Sequence, residues 1–484
     1  MTILVAAMPS PAIEASQVAA MPSPATEASE PPQPPNIVWV NLDDTGIAPA
    51  SLYERLPMIK SLFLEHGVSF VNAWNNFPLC CPGRASQLTG QWAHHTGVIK
   101  NDGRLFNPGV TLATELHDQG YYTFITGKYL NGTSLLSDKT PPGWDDVAIA
   151  DSKYYRYTIY VNDEARYHGS RTDDYSTDVF AAHSLEFLAT APADKPIFAF
   201  LNPYAVHQGA DQNGSKVGTL PAPAPRHKGD PACQGVPSSK LANYNEADVS
   251  DKPYYIRRQP LRAATGWPLQ RICETLLSVD EWTAGVVDTL KAQGRFDNTI
   301  FILTTDNGRA WGSNRWIKKT APYAAQIPLF IYWPATMVGN GSENDMLLAN
   351  VDLAPTLCEL AGCVMGPFAN GRPVDGQSFA GLLAPDAFSS VPTRDATIHE
   401  HLGPASQVPR WKGIMTASNH QLGRWFYVHY FETGEQELYD MSGGPCLHWE
   451  VGDGGDPCMM SNKAHKAKFK SIRWALRRQM EAMW

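Results

Sequence analysis

Short runs of continuous apolar residues, each ended by a polar turn, recur along the chain. Ile37–Leu42 stops at Asp43-Asp44-Thr45-Gly46, and Tyr121–Thr126 stops at Gly127-Lys128. Ile197–Leu201 leads into Asn202, Pro203 and then His207, and Thr299–Leu303 leads towards Asp306-Asn307-Gly308. Runs this short and this uniformly apolar predict strands covered on both faces. Between them the apolar spacing turns helical, over Leu112–Gln119 and Arg271–Ala292. Strands alternating with helices predict an α/β fold with a parallel sheet sandwiched by helices. In such a sheet, ligands collect beyond the carboxyl ends of the strands. Asp43, Asp44, Lys128, His207, Asp306 and Asn307 are therefore expected to converge on one edge.

After about residue 385 the texture changes. Ala396–His401, Gly413–Ala417, Trp425–Phe431 and Glu437–Tyr439 read as short strands, and Ala464–Met483 as a basic amphipathic helix. The expected organisation is a catalytic domain over 36–384 and a smaller α+β subdomain over 385–484, with a small antiparallel sheet and a terminal helix. Residues 1–35 are different again. Val5–Ser16 (VAAMPSPAIEAS) is nearly repeated by Val18–Ser29 (VAAMPSPATEAS), in a Pro/Ala-rich tract that cannot build a core. This segment is expected to be a disordered tail. It lacks the positive start and longer apolar centre of a clear signal peptide.

Composition narrows the function classes. The 484 residues include 39 Lys and Arg against 48 Asp and Glu, a formal charge of −9. That balance argues against a nucleic-acid partner, which calls for a basic surface. Charged residues are 18% and hydrophobic residues 43%, which excludes a disordered chain. No apolar run is long enough to span a membrane. None of the eight cysteines forms a CxxC pair, so a zinc ribbon is not indicated. Cys358/Cys363 and Cys446/Cys458 are close enough for local disulfides, the latter stapling a Gly-rich loop.

The densest chemistry lies in Leu79–Gly90, LCCPGRASQLTG. The stretch after Cys80 predicts a helix with Cys80 at or just before its N-terminus, where free N–H groups and the helix dipole favour an anion. Arg84, one turn in, is suited to orient an oxygen nucleophile. Elsewhere, the adjacent carboxylates Asp43 and Asp44 repel each other unless a cation lies between them. Asp306 adds a carboxylate and Asn307 a carbonyl, and such an all-oxygen set selects a hard ion, calcium or magnesium. Taken singly, each of these segments reads as a cap or a turn. Trp92, Trp311 and Trp316 read equally as a sugar platform or as core, and His94-His95 as helix-end packing.

Together, CCPGRASQLTG, NLDDTG, GKYLNG, DNG, VDLAPTL and DGQSFAGLL resemble the sulfatase family of the alkaline-phosphatase-like superfamily, from about Asn36 to Leu383. The double cysteine and GKYLNG look most like its N-acetylglucosamine-6-sulfatase branch. The resemblance implies a large mixed, mostly parallel sheet sandwiched by helices. It implies that a formylglycine-generating enzyme converts Cys80 to formylglycine (3-oxoalanine), fixed by Arg84. The hydrated aldehyde then attacks a sulfate ester through a covalent intermediate. By the same resemblance Asp43, Asp44, the converted Cys80, Asp306 and Asn307 hold one divalent cation, with Ca2+ fitting better than Mg2+. Lys128 binds the diol and a sulfate oxygen, and His207 lies near the ester oxygen. Lys319 binds sulfate and protonates the leaving oxygen, with Lys318 the less favoured register. The implied substrate is a sulfated small molecule or carbohydrate, and the implied location is secreted, lysosomal or periplasmic. Three positions depart from the family pattern: Leu130 stands where many members have histidine, Gly83 where Ser, Ala or Thr is usual, and Gln208-Gly209 where x-Pro often follows His207. A phosphoester hydrolase of the same superfamily, or a silent binding protein in which Cys80 stays a thiol, are the alternatives.

Overall fold

The computed structural model describes residues 33–151, 153–236, 238, 241–336, 340–404, 407–443, 446, 456 and 458–484. The expected tail over 1–35 thus lies almost wholly outside the described residues, as does most of the loop between Cys446 and Cys458. Residues Pro34–Trp484 form one compact unit.

At its centre is a ten-stranded sheet. In spatial order the strands are Ser342–Asn344, Val68–Phe70, Phe330–Tyr332, Thr299–Thr305, Asn36–Leu42, Ile197–Asn202, Tyr122–Lys128, Asp146–Ala150, Tyr157–Val161 and Glu164–His168. The five from Thr299–Thr305 to Asp146–Ala150 are parallel, and the others make antiparallel edges apart from the parallel outermost pair Ser342–Asn344/Val68–Phe70. Ile37 is flanked by Ile300 and Phe198. The expected mixed, mostly parallel sheet is present.

Alternate residues of each central strand face opposite cores, as strand geometry requires. Ile37, Trp39, Ile125, Phe198, Phe200, Ile300 and Ile302 pack with Ala85 and Leu88, Leu112 and Leu116, and Leu353 and Leu357 on one side. Val38, Val40, Phe124, Ala199, Leu201, Phe301 and Leu303 pack on the other side with Phe180, Phe187, Ile272, Leu276, Val279 and Val286. The second set comes from helices Ser176–Thr190 and Gln270–Ala292. Burying both faces is why these strands read as unbroken apolar runs. No described helix is long and apolar enough to cross a membrane.

The Lys128 strand runs two residues beyond the expected Thr126, because Gly127 pairs with Asn202. Gly127 has φ +96°, and a Cβ there would come 1.9 Å from the Asn202 carbonyl oxygen. Only glycine lets the strands pass this closely.

The C-terminal strands Ala396–His401, Trp411–Thr416, Trp425–Tyr430 and Gln436–Asp440 form an antiparallel meander. The expected terminal helix starts later than Ala464, at Lys470, after a 3-10 turn over Ala467–Phe469. The Asn462 carboxamide oxygen takes up the Ala464 N–H, and Arg473 donates to the Ala464 carbonyl, so both backbone groups are held outside a helix.

Three disulfides are formed. Cys358–Cys363 and Cys446–Cys458 match the local pairs expected, and Cys233–Cys273 joins residues 40 apart. Among the described residues Cys80 and Cys81 are free thiols.

Candidate active site

The helix Cys80–Thr89 begins at Cys80, with Leu79 extended at its N-cap, and every residue in it is buried. It packs beneath the carboxyl ends of the central strands, and this brings the Cys80 side chain to the acidic turns. Its sulfur lies 3.8 Å from Asp43 Oδ1 and 3.9 Å from Asp44 Oδ1, and Lys319 Nζ lies 2.8 Å from the sulfur. Asp43, Asp44, Cys80 and His207 offer ligand atoms all within 4.8 Å of one another.

Four buried or nearly buried cations are interleaved with three carboxylates. Arg84 is fully buried: Nε donates to Asp306 Oδ2 at 2.9 Å, and Nη1 to the Lys128 carbonyl at 2.6 Å and Asn202 Oδ1 at 2.8 Å. Lys128 Nζ reaches Asp43 Oδ2 at 2.6 Å and Asp306 Oδ2 at 3.3 Å. Lys319 Nζ is 2.6 Å from Asp44 Oδ1, and Arg309 Nη1 is 3.3 Å from Asp44 Oδ2. Asn307 Nδ2 donates to Asp44 Oδ1 at 2.8 Å, while its carbonyl oxygen is buried without a partner. His207 Nε2 is 3.4 Å from Asp44 Oδ2, with Nδ1 at 2.5 Å from the Tyr204 hydroxyl. All nine residues expected from the sequence are thus gathered at one sheet edge. Lys318, the alternative register, instead reaches Gln407 Oε1 at 2.8 Å on the exposed side.

The electrostatics follow from burial and neighbours. Burial, then Asp306, pushes Asp43 up despite Lys128. Burial also pushes Asp44 up, but Lys319, His207 and Arg309 together hold it well below the usual carboxylate range. Burial raises the Cys80 thiol to about 12, so an unmodified sulfur here stays protonated and is a poor nucleophile. Burial lowers His207, against the pull of Asp44.

The segment that carries Lys319 is held from behind. Thr320 N–H donates to the Pro78 carbonyl at 2.9 Å, Trp316 Nε1 to the Lys319 carbonyl at 3.2 Å, and Trp411 Nε1 to the Thr320 carbonyl at 2.8 Å. Tyr323, four residues on, donates its hydroxyl to the fully buried Glu437, which also accepts from Tyr430 at 2.7 Å and Tyr439 at 2.5 Å. The C-terminal sheet therefore clamps this lysine's backbone.

Sequence reasoning missed Arg309, which follows the Asp306-Asn307-Gly308 turn directly, and the amides beneath the site. Asn41 Nδ2 donates to Gln87 Oε1 at 3.1 Å, and Gln87 Nε2 to the Thr305 carbonyl at 2.9 Å. Gln87 lies one turn beyond Arg84, the one signal that pointed to it. Trp92, Trp311 and Trp316 are at most 5% exposed, so they are core and form no platform. His94 and His95 lie at the end of a separate short helix, Ala93–Thr96, each with a carboxylate, Glu400 at 3.0 Å and Asp375 at 2.8 Å.

Comparison with known proteins bears on this geometry. Residues 35–363 match the family model described as Sulfatase. The chain is 30% identical over 406 residues to N-acetylglucosamine-6-sulfatase of Capra hircus, covering 77% of this chain and 67% of that protein. It is 30% identical over 364 residues to the extracellular sulfatase SULF-1 homolog of Drosophila melanogaster, covering 70% of this chain but only 31% of that longer protein. The fold resembles that of a protein solved in complex with its substrate D-glucosamine-2-N,6-O-disulfate, with a TM-score of 0.71, 22% identity, and 93% and 97% of the two chains covered. With the family model spanning most of its length, this chain belongs to the sulfatase family of sulfuric ester hydrolases.

Proposed function

We propose that the chain hydrolyses an O-sulfate ester of a sugar to the alcohol and inorganic sulfate, in the pocket around Cys80. The observation that carries this reading is the ring of Arg84, Lys128, Arg309 and Lys319 about Asp43, Asp44 and Asp306. Four cations against three carboxylates leave a positive excess, which suits an anionic ester. The sugar follows from the relatives, whose names include N-acetylglucosamine-6-sulfatase.

The donor set fits a hard cation. A buried carbonyl without a partner costs about 1–3 kcal/mol, and the Asn307 oxygen is one, beside two adjacent carboxylates. Asp43, Asp44, Asp306, Asn307 and the matured Cys80 side chain would hold the ion, and calcium is our choice over magnesium. In the bound state the cation supplies Lewis-acid polarisation and the formylglycine hydrate an oxygen nucleophile. The chain's own residues do the rest. Arg84 orients the residue-80 side chain through Asp306, Lys128 and Lys319 bind sulfate oxygens, and Lys319 gives a proton to the leaving oxygen beside His207. Maturation needs a formylglycine-generating enzyme. Three disulfides and an extracellular relative support an oxidising, secreted location.

The test is mass spectrometry of the peptide spanning Cys80, where replacement of CH2SH by CHO removes about 18 Da. Sulfate release from a sulfated sugar should follow the converted fraction and vanish in Cys80→Ala. Full hydrolysis by that variant would defeat the mechanism.

A further inference from the structure

Positive charge in this acidic chain is concentrated at one place. Residues 463–484 hold four Lys and three Arg against one Glu, a net +6, so the remainder carries −15. The Lys470–Ala482 helix uses one face for packing, where Leu476 and Met480 are buried against Ile414, Tyr427 and Leu438. Its opposite face exposes Lys470, Trp474, Arg477 and Arg478, and Lys466 and Lys468 are exposed just before it. Lys470, Trp474 and Arg478 recur at intervals of four, so they line one stripe about 12 Å long.

A run of cations by itself is a solvated face. Two further observations exceed that reading. Trp474 is 59% exposed, and the Arg478 guanidinium lies 4.8 Å over its ring, which makes a flat, cationic platform. Arg477 is paired with Glu481 at 2.9 Å, but among the described residues Lys466, Lys468, Lys470 and Arg478 form no salt bridge. The charge is thus segregated from the acidic remainder and left unneutralised.

We propose that this stripe docks a linear sulfated polysaccharide, outside the Cys80 pocket. Lys466, Lys468 and Lys470 at one end and Arg478 at the other are suited to successive sulfates, and the indole of Trp474 between them offers a surface for a sugar face. A bilayer is disfavoured because the helix's apolar face, Leu476 and Met480, is already buried in the protein, which leaves Trp474 as the one large hydrophobic exposed on the stripe. The choice of polysaccharide over other polyanions rests on the proposed sugar substrate.

The test measures binding of the full chain to immobilised heparin at rising salt, beside single-stranded DNA and phosphatidylserine vesicles as competing anions. Lys466→Glu, Lys470→Glu and Arg478→Glu together should weaken heparin binding by roughly tenfold or more at low salt, and Trp474→Ala alone should weaken it measurably. Hydrolysis of a sulfated monosaccharide and the melting temperature should stay at wild-type values in the same variants. Equal retention of wild type and triple variant overturns the proposal, as does binding of DNA or vesicles as tight as that of heparin. Because binding is read without turnover, a chain that fails to hydrolyse any sulfate ester leaves this result interpretable on its own.

Discussion

The carbonyl oxygen of Asp306 fills the space in front of Gly83: a Cβ on residue 83 would lie 2.1 Å from it, and 2.9 Å from Asn75 Nδ2. Asn75 Nδ2 donates to that same carbonyl at 2.5 Å. The helix that carries Cys80 thus approaches the Asp306 turn more closely than a side chain permits, which gives the unusual glycine of this motif a physical reason. Gly83→Ser should cost about 1–3 kcal/mol by overpacking and shift the Asp306 carboxylate from Arg84 and Lys128. Denaturant unfolding and sulfate release check both effects; a variant as stable and active as wild type would show that the turn yields freely.

Lys318 and Lys319 are neighbours in sequence and opposites in environment. Lys319→Ala removes a cation 2.6 Å from Asp44 and 2.8 Å from the Cys80 sulfur, and should lower kcat by about 10²–10⁴-fold if it acts as the acid. Lys318→Ala loses only a surface contact with Gln407 and should leave turnover unchanged. Steady-state kinetics on one sulfate ester separates the two, and equal effects would reject the assignment.

Calcium should stabilise the protein through the acidic turns. A hundredfold excess over Kd adds about 2.7 kcal/mol to a fold that binds one ion. Melting curves in a chelator and in added calcium should differ accordingly. Asp44→Asn, which alters a carboxylate in contact with Lys319, Arg309 and Asn307, should abolish the difference.

Acid should loosen the site from beneath. Burial lowers His399 from its ordinary 6.5 to about 4, and lowers His401 likewise to about 4. In the unfolded chain both take up protons near 6.5, so stability present above that pH is lost as pH falls from 6.5 towards 4. For fully buried His399 the loss is on the order of 3 kcal/mol. His399 Nδ1 lies 3.0 Å from the Asn75 carbonyl, and Asn75 in turn holds Asp306. His399→Gln should flatten the fall in melting temperature over this range; an unchanged slope would point to other groups.

The parts of this molecule that are legible in sequence are those where one local rule decides. The central strands are buried on both faces and so read as apolar runs, and their polar successors mark the sheet edge where Asp43, His207 and Asp306 meet. The antiparallel margin is not legible. Glu164–His168 is largely exposed and polar, and Phe330–Tyr332 is three residues long, so neither carries a pattern. Lys128 belongs to its strand because Gly127 before it pairs with Asn202, 75 positions away, and Lys128 itself with Ala150, pairings that no local run reports. Arg309 reads as an ordinary surface cation until the Asp306 turn folds it against Asp44. Cys233 and Cys273 lie too far apart in sequence for spacing alone to pair them.

The hydroxyls of Tyr323, Tyr430 and Tyr439 converge on Glu437, and with them the Lys319 segment is tied to strands more than a hundred residues later. Recombination between sulfatases therefore has a forbidden junction. A chimera that imports a C-terminal sheet lacking this carboxylate would present a well-made catalytic half with the Lys319 segment adrift, inheriting a turnover defect from a residue that makes no contact with Lys319 itself.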